Sequence, residues 1–201
     1  MTVTASRKRN PRGAGERLRA GLMDATVELL LERGGPEGLS IRAITERAGV
    51  SPMALYLHFP GKEELLWAVC DAAFEELLVV LHEADAAHEG EPREQLRAIG
   101  EAYIGFALER PSLYRIAFEM PAPRGGDPEA LPSDDPGMRA FEDLVHATER
   151  CLPEGRDARA VALQLWVALH GFISLRAVVP KFTWPETSAF WADLLDAHLD
   201  S

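Results

Sequence analysis

Apolar residues recur at intervals of three and four along most of this chain, and glycines and prolines interrupt them. That spacing puts the apolar side chains on one face of a helix and is typical of amphipathic α-helices. Helices are predicted over residues 16–33, 40–48, 51–57, 62–88, 93–109, 112–120, 138–152, 156–179 and 185–199. The predicted fold is therefore all-α, with about nine helices.

The stretch from Ser40 to Leu65 predicts a helix-turn-helix. Ser40 is suited to cap the first helix and Gly49 to end it. Ser51 is suited to cap the second helix, with Pro52 at its first position, where a missing N–H costs nothing. This geometry lets one helix enter a DNA major groove while the other braces it. A hairpin inside a helical bundle would show the same caps and glycine, so spacing alone leaves both interpretations open.

Four short motifs resemble the DNA-binding signature of the TetR family of bacterial transcriptional repressors. They are Ala48-Gly49-Val50-Ser51, Leu55-Tyr56, His58-Phe59 and Lys62-Glu63-Glu64-Leu65. The resemblance is strong over residues 18–66 and weak beyond them. It implies a three-helix DNA-binding domain over residues 15–62 and a helical-bundle domain for ligand binding and dimerisation over residues 63–201. The DNA-contacting residues that it implies are Ser40, Arg42, Ser51, Pro52, Met53, Ala54, Tyr56, Leu57, His58 and Lys62.

The chain departs from the commonest family pattern at four positions. Met53 stands where Gly is frequent, Ala54 where Thr is frequent and Thr45 where Ala is usual, and Leu57 occupies a position that is often polar or aromatic. The recognition surface is therefore unusually apolar, and contact with thymine methyl groups is one way in which it could read bases. Phe59, in contrast, is predicted to pack in the core of the DNA-binding domain.

Charge is divided unevenly along the chain. The formal net charge of −11 by itself argues against a nucleic-acid partner, because duplex binding needs Lys and Arg against phosphate. Residues 1–62 nevertheless hold 10 Lys and Arg against 6 Asp and Glu, a net of +4, whereas the other 139 residues hold 11 against 26, a net of −15. The basic end is thus predicted to touch DNA. Residues 1–14 are predicted to be a disordered basic arm, either a solvated tail or an arm that follows the DNA.

The predicted helix over residues 156–179 is apolar nearly all round. Polar residues such as Gln164, His170 and Arg176 interrupt it, which argues against a membrane span. One side is predicted to pack in its own domain and the other on a second copy of the chain. With the helix over residues 185–199 it would form a four-helix interface, which resembles how the family dimerises. The predicted interface residues are Val161, Leu165, Leu169, Phe172, Phe190, Trp191, Leu194 and Leu195.

Trp166, His170 and Gly171 form a W-x-x-x-H-G motif that resembles the hallmark of one C-terminal subclass of these regulators, the WHG domain. Gly171 is expected to let another helix approach closely. A core Trp beside a hydrogen-bonded His and a pair that lines a ligand pocket are both open interpretations. Aromatic and apolar side chains of the middle helices are the candidate ligand-binding residues: Tyr103, Phe106, Tyr114, Phe118, Met120, Phe141, Trp166 and His170. Such a pocket suits a small hydrophobic ligand.

The remaining features narrow the class of protein. Cys70 and Cys151 are predicted to be buried free thiols, because no CxxC or His cluster indicates a metal or a cofactor. No nucleophile elbow, P-loop or dinucleotide fingerprint occurs in the sequence, which disfavours an enzyme. Residues 121–137, with five prolines and three glycines, are predicted to be a loop or a lid.

The predicted function is that of a soluble, cytoplasmic, ligand-responsive regulator. It would bind a palindromic operator in double-stranded DNA as a homodimer, act as a repressor, and be released by a small hydrophobic ligand. A tilt of the long helix over residues 62–88 would transmit that release, because this helix joins the two predicted domains. The alternative is an all-helical protein-interaction module in which the helix-turn-helix is merely structural.

Overall fold

The computed structural model describes residues 14–119 and 134–200. These residues form nine α-helices, and no strand occurs within the described ranges. The helices are α1 (Ala14–Arg33), α2 (Ile41–Arg47), α3 (Pro52–Tyr56), α4 (Lys62–Ala86), α5 (Pro92–Glu109), α6 (Pro111–Phe118), α7 (Pro136–Glu149), α8 (Ala158–Val178) and α9 (Thr187–Leu199). The predicted all-α class is confirmed, with helix ends displaced by a few residues.

Two predicted segments lie mostly outside the described residues. The predicted arm over residues 1–14 lies outside them except for Ala14, which is the first residue of α1. Most of the predicted loop over residues 121–137 also lies outside them. Its last two residues, Pro136 and Gly137, belong to α7, so the predicted loop extends too far.

The described residues divide into two compact units. The first unit ends at Cys70 and the second begins at Asp71, so the division falls inside α4. The first unit contains α1, α2, α3 and the beginning of α4, and the second contains the rest of α4 and the helices from α5 to α9. The boundary predicted from the sequence, after residue 62, lies in the first turn of α4 and eight residues before this division.

The first unit is a small helical core. Its principal apolar side chains are 5% exposed or less: Leu22, Leu29, Leu30, Leu39, Ile44, Leu55, Phe59, Leu65 and Val69. Two threonines are buried among them, and each satisfies its hydroxyl within its own helix. Thr26 donates to the Leu22 carbonyl at 2.7 Å, and Thr45 donates to the Ile41 carbonyl at 2.9 Å. Phe59 is thus a core residue, as predicted.

The turn between α2 and α3 follows the sequence prediction with one exception. The Ala43 N–H donates to Ser40 Oγ at 3.2 Å and so caps α2. Gly49 has φ +68°, a left-handed backbone that glycine adopts without strain. Pro52 begins α3, as predicted. Ser51 stands at the N-cap position of α3, but its side chain makes no capping hydrogen bond, so capping does not occupy its hydroxyl.

The second unit has a larger core, in which α5 contacts α6, α7, α8 and α9. Its most deeply buried large side chains, at 1% exposure or less, are Leu77, Leu96, Ile116, Leu165, Trp191 and Leu195. Because these residues come from five different helices, the core holds the helices of this unit together.

The side chain of Trp191 fixes α9 against α5. Its indole N–H donates to the Arg97 carbonyl at 2.9 Å. Its ring lies over Gly100, where a Cβ atom would come within 2.1 Å of the indole. Gly171 was expected to permit such a close approach, but nothing lies within 4 Å of the position its Cβ would take. Within the described part of this chain, the close approach therefore occurs at Gly100 and not at Gly171.

By length and composition, α8 is the one described helix that could cross a membrane. Core helices of soluble proteins pass the same test, and several observations favour that interpretation here. Val161, Leu165 and Leu169 are buried in the unit's own core. Arg176 donates to the Pro185 carbonyl at 3.3 Å and to the Thr187 hydroxyl at 3.2 Å, so it joins α8 to the start of α9.

We expect Gly100→Ala to lower the free energy of unfolding by about 1–3 kcal/mol, because the added methyl group overpacks the α5–α9 contact. The matched control is Gly105→Ala on the same helix, where nothing lies within 4 Å of the added Cβ. It should raise the same free energy by about 0.5–1 kcal/mol through helix propensity alone. Urea unfolding at one fixed protein concentration measures both. Equal effects of the two substitutions would contradict the packing described for Trp191.

Candidate functional site

The surface of α3 is the first candidate site. Leu55 is fully buried and anchors the helix, while Met53, Tyr56 and Leu57 point outward with exposures of 71%, 52% and 75%. All ten residues predicted to contact DNA are exposed or half-buried, so the fold leaves each of them accessible. Their contacts with DNA stay a prediction.

Three cations lie around this surface and differ in what already binds them. Arg42 pairs with Glu46, one turn along α2, at 2.7 Å, and both side chains are exposed. Such a pair is weak in water, so a phosphate can compete for the guanidinium. Lys62 donates to the Leu39 carbonyl at 3.2 Å, which ties the start of α4 to the residue before Ser40. The ammonium has three donors, so two remain for a phosphate.

Arg47 was not predicted to matter, and the structure gives it an architectural role. Its guanidinium bridges α2 to α1 through Glu32 at 2.7 and 2.9 Å and through Glu28 at 3.0 Å. The hydrogen bond from Arg47 lowers the pKa of the Glu32 carboxyl. Because two carboxylates hold it, Arg47 is less available to DNA than Arg42. The pairing spans 15 and 19 residues of sequence, so helical periodicity gave no signal for it.

An aromatic cluster in the second unit is the second candidate site. Phe118 lies at its centre, with ring centroids 5.0 Å from Phe74 and Tyr114, 5.5 Å from His170 and 5.7 Å from Tyr103. Trp166 extends the cluster at 6.4 Å from Phe118, and Phe141 packs on Trp166 at 5.7 Å. The cluster therefore comprises Phe74, Tyr103, Tyr114, Phe118, Phe141, Trp166 and His170.

The structure brings six of the eight predicted ligand-binding residues into this aromatic cluster. Phe106 is not among them: it is buried in the core, and its ring faces the Arg110 guanidinium at 6.0 Å. Met120 lies outside the described residues. Phe74 was missed because it was read as part of the helix that joins the two domains.

A chain of hydrogen bonds crosses the aromatic cluster. Tyr114 Oη lies 2.6 Å from His170 Nδ1, and Tyr103 Oη lies 3.2 Å from Tyr114 Oη. Burial lowers the pKa of His170, so its neutral form is favoured, and burial raises the pKa of both tyrosines. When Tyr114 donates to Nδ1, the neutral imidazole carries its proton on Nε2; in the other tautomer Nδ1–H donates to Tyr114.

The predicted dimer interface needs correction. Val161, Leu165, Leu169, Phe172, Trp191 and Leu195 are buried in the core of their own unit, and Phe190 and Leu194 pack partly against it. Phe172 stacks on Phe190 with centroids 4.2 Å apart. The six buried side chains are therefore unavailable to a second copy, whereas Phe190 and Leu194 keep part of their surface exposed, and the interface itself stays a prediction. The large apolar side chains that α8 does expose are Leu163, Val167, Leu175 and Val178.

The two cysteines are half-buried rather than fully buried, and no disulfide joins them. Cys151 donates to the Pro92 carbonyl at 3.2 Å, and burial raises the pKa of its thiol. A raised pKa keeps the thiol protonated and unreactive. Within the described ranges, no group of three or more His, Cys, Asp or Glu side chains could hold a metal ion.

Two family models match the chain. The model described as "Bacterial regulatory proteins, tetR family" matches residues 22–69, which include α2 and α3. The model described as "Tetracyclin repressor-like, C-terminal domain" matches residues 96–198, which is half of the chain.

Two curated relatives are named as transcription factors of the HTH type, one a regulator and the other an activator. An HTH-type transcriptional regulator of Mycobacterium tuberculosis is 28% identical over 146 residues, which cover 72% of this chain and 64% of that protein. The HTH-type transcriptional activator FasR of Mycolicibacterium smegmatis is 32% identical over 129 residues, which cover 59% of this chain and 58% of that protein. The chain thus matches less than two thirds of the length of either relative.

Solved structures share the fold. A TetR family transcription regulator from Marinobacter aquaeolei VT8 superposes with a TM-score of 0.70 at 18% identity, covering 93% of this chain and 98% of that one. RolR, whose crystal structure contains the ligand resorcinol, superposes with a TM-score of 0.59 at 24% identity, covering 94% of this chain and 90% of that one.

Proposed function

Because the chain belongs to the TetR family of transcriptional regulators, we propose that it is a homodimeric repressor that a small apolar ligand releases from a palindromic operator. The family consists of regulators and not of enzymes. The observation that carries the proposal is the exposed outer face of α3, held in place by the buried core of the first unit. Binding across a promoter in the cytoplasm would block transcription there. FasR is named an activator, so repression needs a direct test with a reporter gene driven by the bound promoter. If the protein is a repressor, deleting the gene that encodes it raises expression of the reporter.

The proposed DNA contacts divide into two kinds. The helix over residues 51–57 enters the major groove, where Ser51, Met53, Ala54 and Leu57 face the bases. Ser40, Arg42, Tyr56, His58 and Lys62 hold phosphates, which positions α3 but carries no sequence information. The net charge of +4 over residues 1–62 supports this assignment.

Arg42→Ala should weaken binding to the DNA upstream of the protein's own gene by a similar factor for all sequences. The plot of log affinity against log salt should also become shallower by about 2, because each subunit of the dimer loses one phosphate contact. The control is Arg139→Ala, an exposed arginine of the second unit that also pairs with a glutamate, Glu75, at 2.6 Å. Fluorescence anisotropy at several salt concentrations measures both. If Arg42→Ala leaves the slope of log affinity against log salt unchanged, Arg42 does not contact a phosphate.

The proposed dimer interface is the outward stripe of α8. Leu163, Val167, Leu175 and Val178 follow one another at helical spacing, and each is at least 47% exposed. A contiguous apolar stripe on a soluble protein marks a contact surface. In a two-fold interface on this stripe, each of these side chains would contact the same residue of the second subunit or one next to it on the stripe.

Val167→Glu should convert the dimer to a monomer, because two buried carboxylates would face each other across the two-fold axis. The matched control is Val79→Glu on α4, since Val79 is 55% exposed against 58% for Val167. Light scattering after size-exclusion chromatography measures the mass of each variant. A dimeric Val167→Glu would place the interface elsewhere.

The aromatic cluster is the proposed effector site. It offers apolar rings together with the imidazole of His170 and the hydroxyls of Tyr103 and Tyr114. A flat, neutral molecule with one or two oxygen atoms suits that combination, whereas an anion would be buried without a cation to pair with it. Because the rings already touch one another, a ligand must displace Phe118, which ends α6.

Release from DNA would follow from a shift between two arrangements of the dimer. A ligand that binds one arrangement more tightly increases its population. We place the transmission in α4, because this helix contributes residues to both units. In the released arrangement the two α3 helices would no longer match successive major grooves.

Resorcinol should raise the melting temperature of the protein and weaken its binding to operator DNA, whereas benzoate of similar size should do neither. Tyr114→Phe should reduce the resorcinol affinity by about 2- to 13-fold, the effect of one hydrogen bond. The matched control is Tyr56→Phe, which removes a hydroxyl from α3 and should leave the resorcinol response unchanged. Thermal unfolding and anisotropy titration measure these effects. If the wild type and Tyr114→Phe respond equally to resorcinol, the Tyr114 hydroxyl does not contribute to the effector site.

A further inference from the structure

The outer face of α3 is apolar to an extent that the fold does not require. Met53 and Leu57 are four residues apart, so they lie on the same side of the helix, and they are 71% and 75% exposed. Leu55 alone provides the buried anchor. Two large apolar side chains that contribute nothing to the core are available to a partner.

The same face lacks the side chains that read bases through paired hydrogen bonds. Arg and Lys read guanine in this way, and Asn and Gln read adenine. None of these four residue types occurs between Val50 and Phe59. The polar groups that do occur, on Ser51, Tyr56 and His58, flank the apolar pair and suit phosphate or single hydrogen bonds.

Only one base edge in the major groove presents an apolar group, the C5-methyl group of thymine. We propose that Met53 and Leu57 read thymine methyl groups, so that the operator is recognised by a pattern of thymines and not by guanine contacts. This inference rests on the proposed binding of α3 in the major groove. It predicts half-sites with thymine, on either strand, at the positions facing this apolar pair.

The size of the effect follows from the transfer of one methyl group out of water, which corresponds to about a fourfold change in affinity. A two-fold operator that loses one contacted methyl group in each half-site should therefore bind about 15-fold more weakly. Uracil provides the substitution, because it differs from thymine only by lacking this methyl group and keeps the same hydrogen-bonding groups.

The experiment begins with the full chain and a random duplex library, from which the tightest-binding sequence is selected. That duplex is then synthesised with uracil in place of thymine, at every position and at single positions. The expected result is a loss of about fourfold per contacted methyl group, confined to a few positions in each half-site. A fully uracil-substituted duplex that binds as tightly as the thymine duplex overturns the inference.

Protein variants assign the effect to residues. Met53→Ala and Leu57→Ala should bind the thymine duplex more weakly and lose the discrimination between thymine and uracil at the positions they contact. Tyr56→Phe is the control, and it should keep that discrimination. Both apolar side chains are exposed, so unchanged thermal unfolding should show that the alanine variants are folded. Full discrimination in both alanine variants assigns methyl reading to other residues and overturns the inference.

The inference and the proposed function fail in different ways. If the chain binds no duplex in a salt-dependent manner, the DNA-binding function itself is wrong, and the inference falls with it. If it binds duplexes tightly but ignores the thymine methyl group, only the inference is wrong, and Met53 and Leu57 then serve some other contact.

Discussion

The structure depends on one helix that must satisfy two cores. Leu65 and Val69 of α4 are buried in the first unit, and Ala73, Leu77 and Leu81 of the same helix are buried in the second. Neither unit can therefore form its complete core without α4. Hydrophobic burial, the main driving force for folding, fixes α4 at several points in each unit. A helix held in this way is suited to transmit a displacement from one end to the other, because neither end can move without disturbing the core that it completes.

Local features of the sequence predicted the secondary structure of the first unit well. Caps, glycine turns and a proline at the start of a helix act over three or four residues, so Ser40, Gly49 and Pro52 could be assigned without knowing the fold. The exception was the hydroxyl of Ser51, whose geometry the residue type does not determine. The Arg47 bridge to α1 was missed because it joins side chains that are distant in the sequence.

Long-range packing limited the prediction of the other half. Periodicity identified α8 as apolar nearly all round, but both of its faces show the same spacing, so the sequence did not show which face is buried in the chain's own core. What distinguishes Leu165 from Val167 is the position of α5 and α9, which no local pattern contains. Six of the aromatic candidates do lie together in one cluster, and their ligand-binding role stays a prediction. Their order along the hydrogen-bond chain, from Tyr103 through Tyr114 to His170, depends on three helices at once.

The contact between Gly100 and Trp191 couples two positions that lie 91 residues apart in the sequence, so a substitution at one affects which residues the other tolerates. Any larger residue at position 100 removes the space that the indole occupies, and any smaller residue at position 191 leaves a void beside a glycine that cannot fill it. In homologous sequences, the residues at positions 100 and 191 should therefore vary together or not at all. Sliding of α9 along α5 is blocked for the same reason, so rearrangements within this unit must be sought among its other helices.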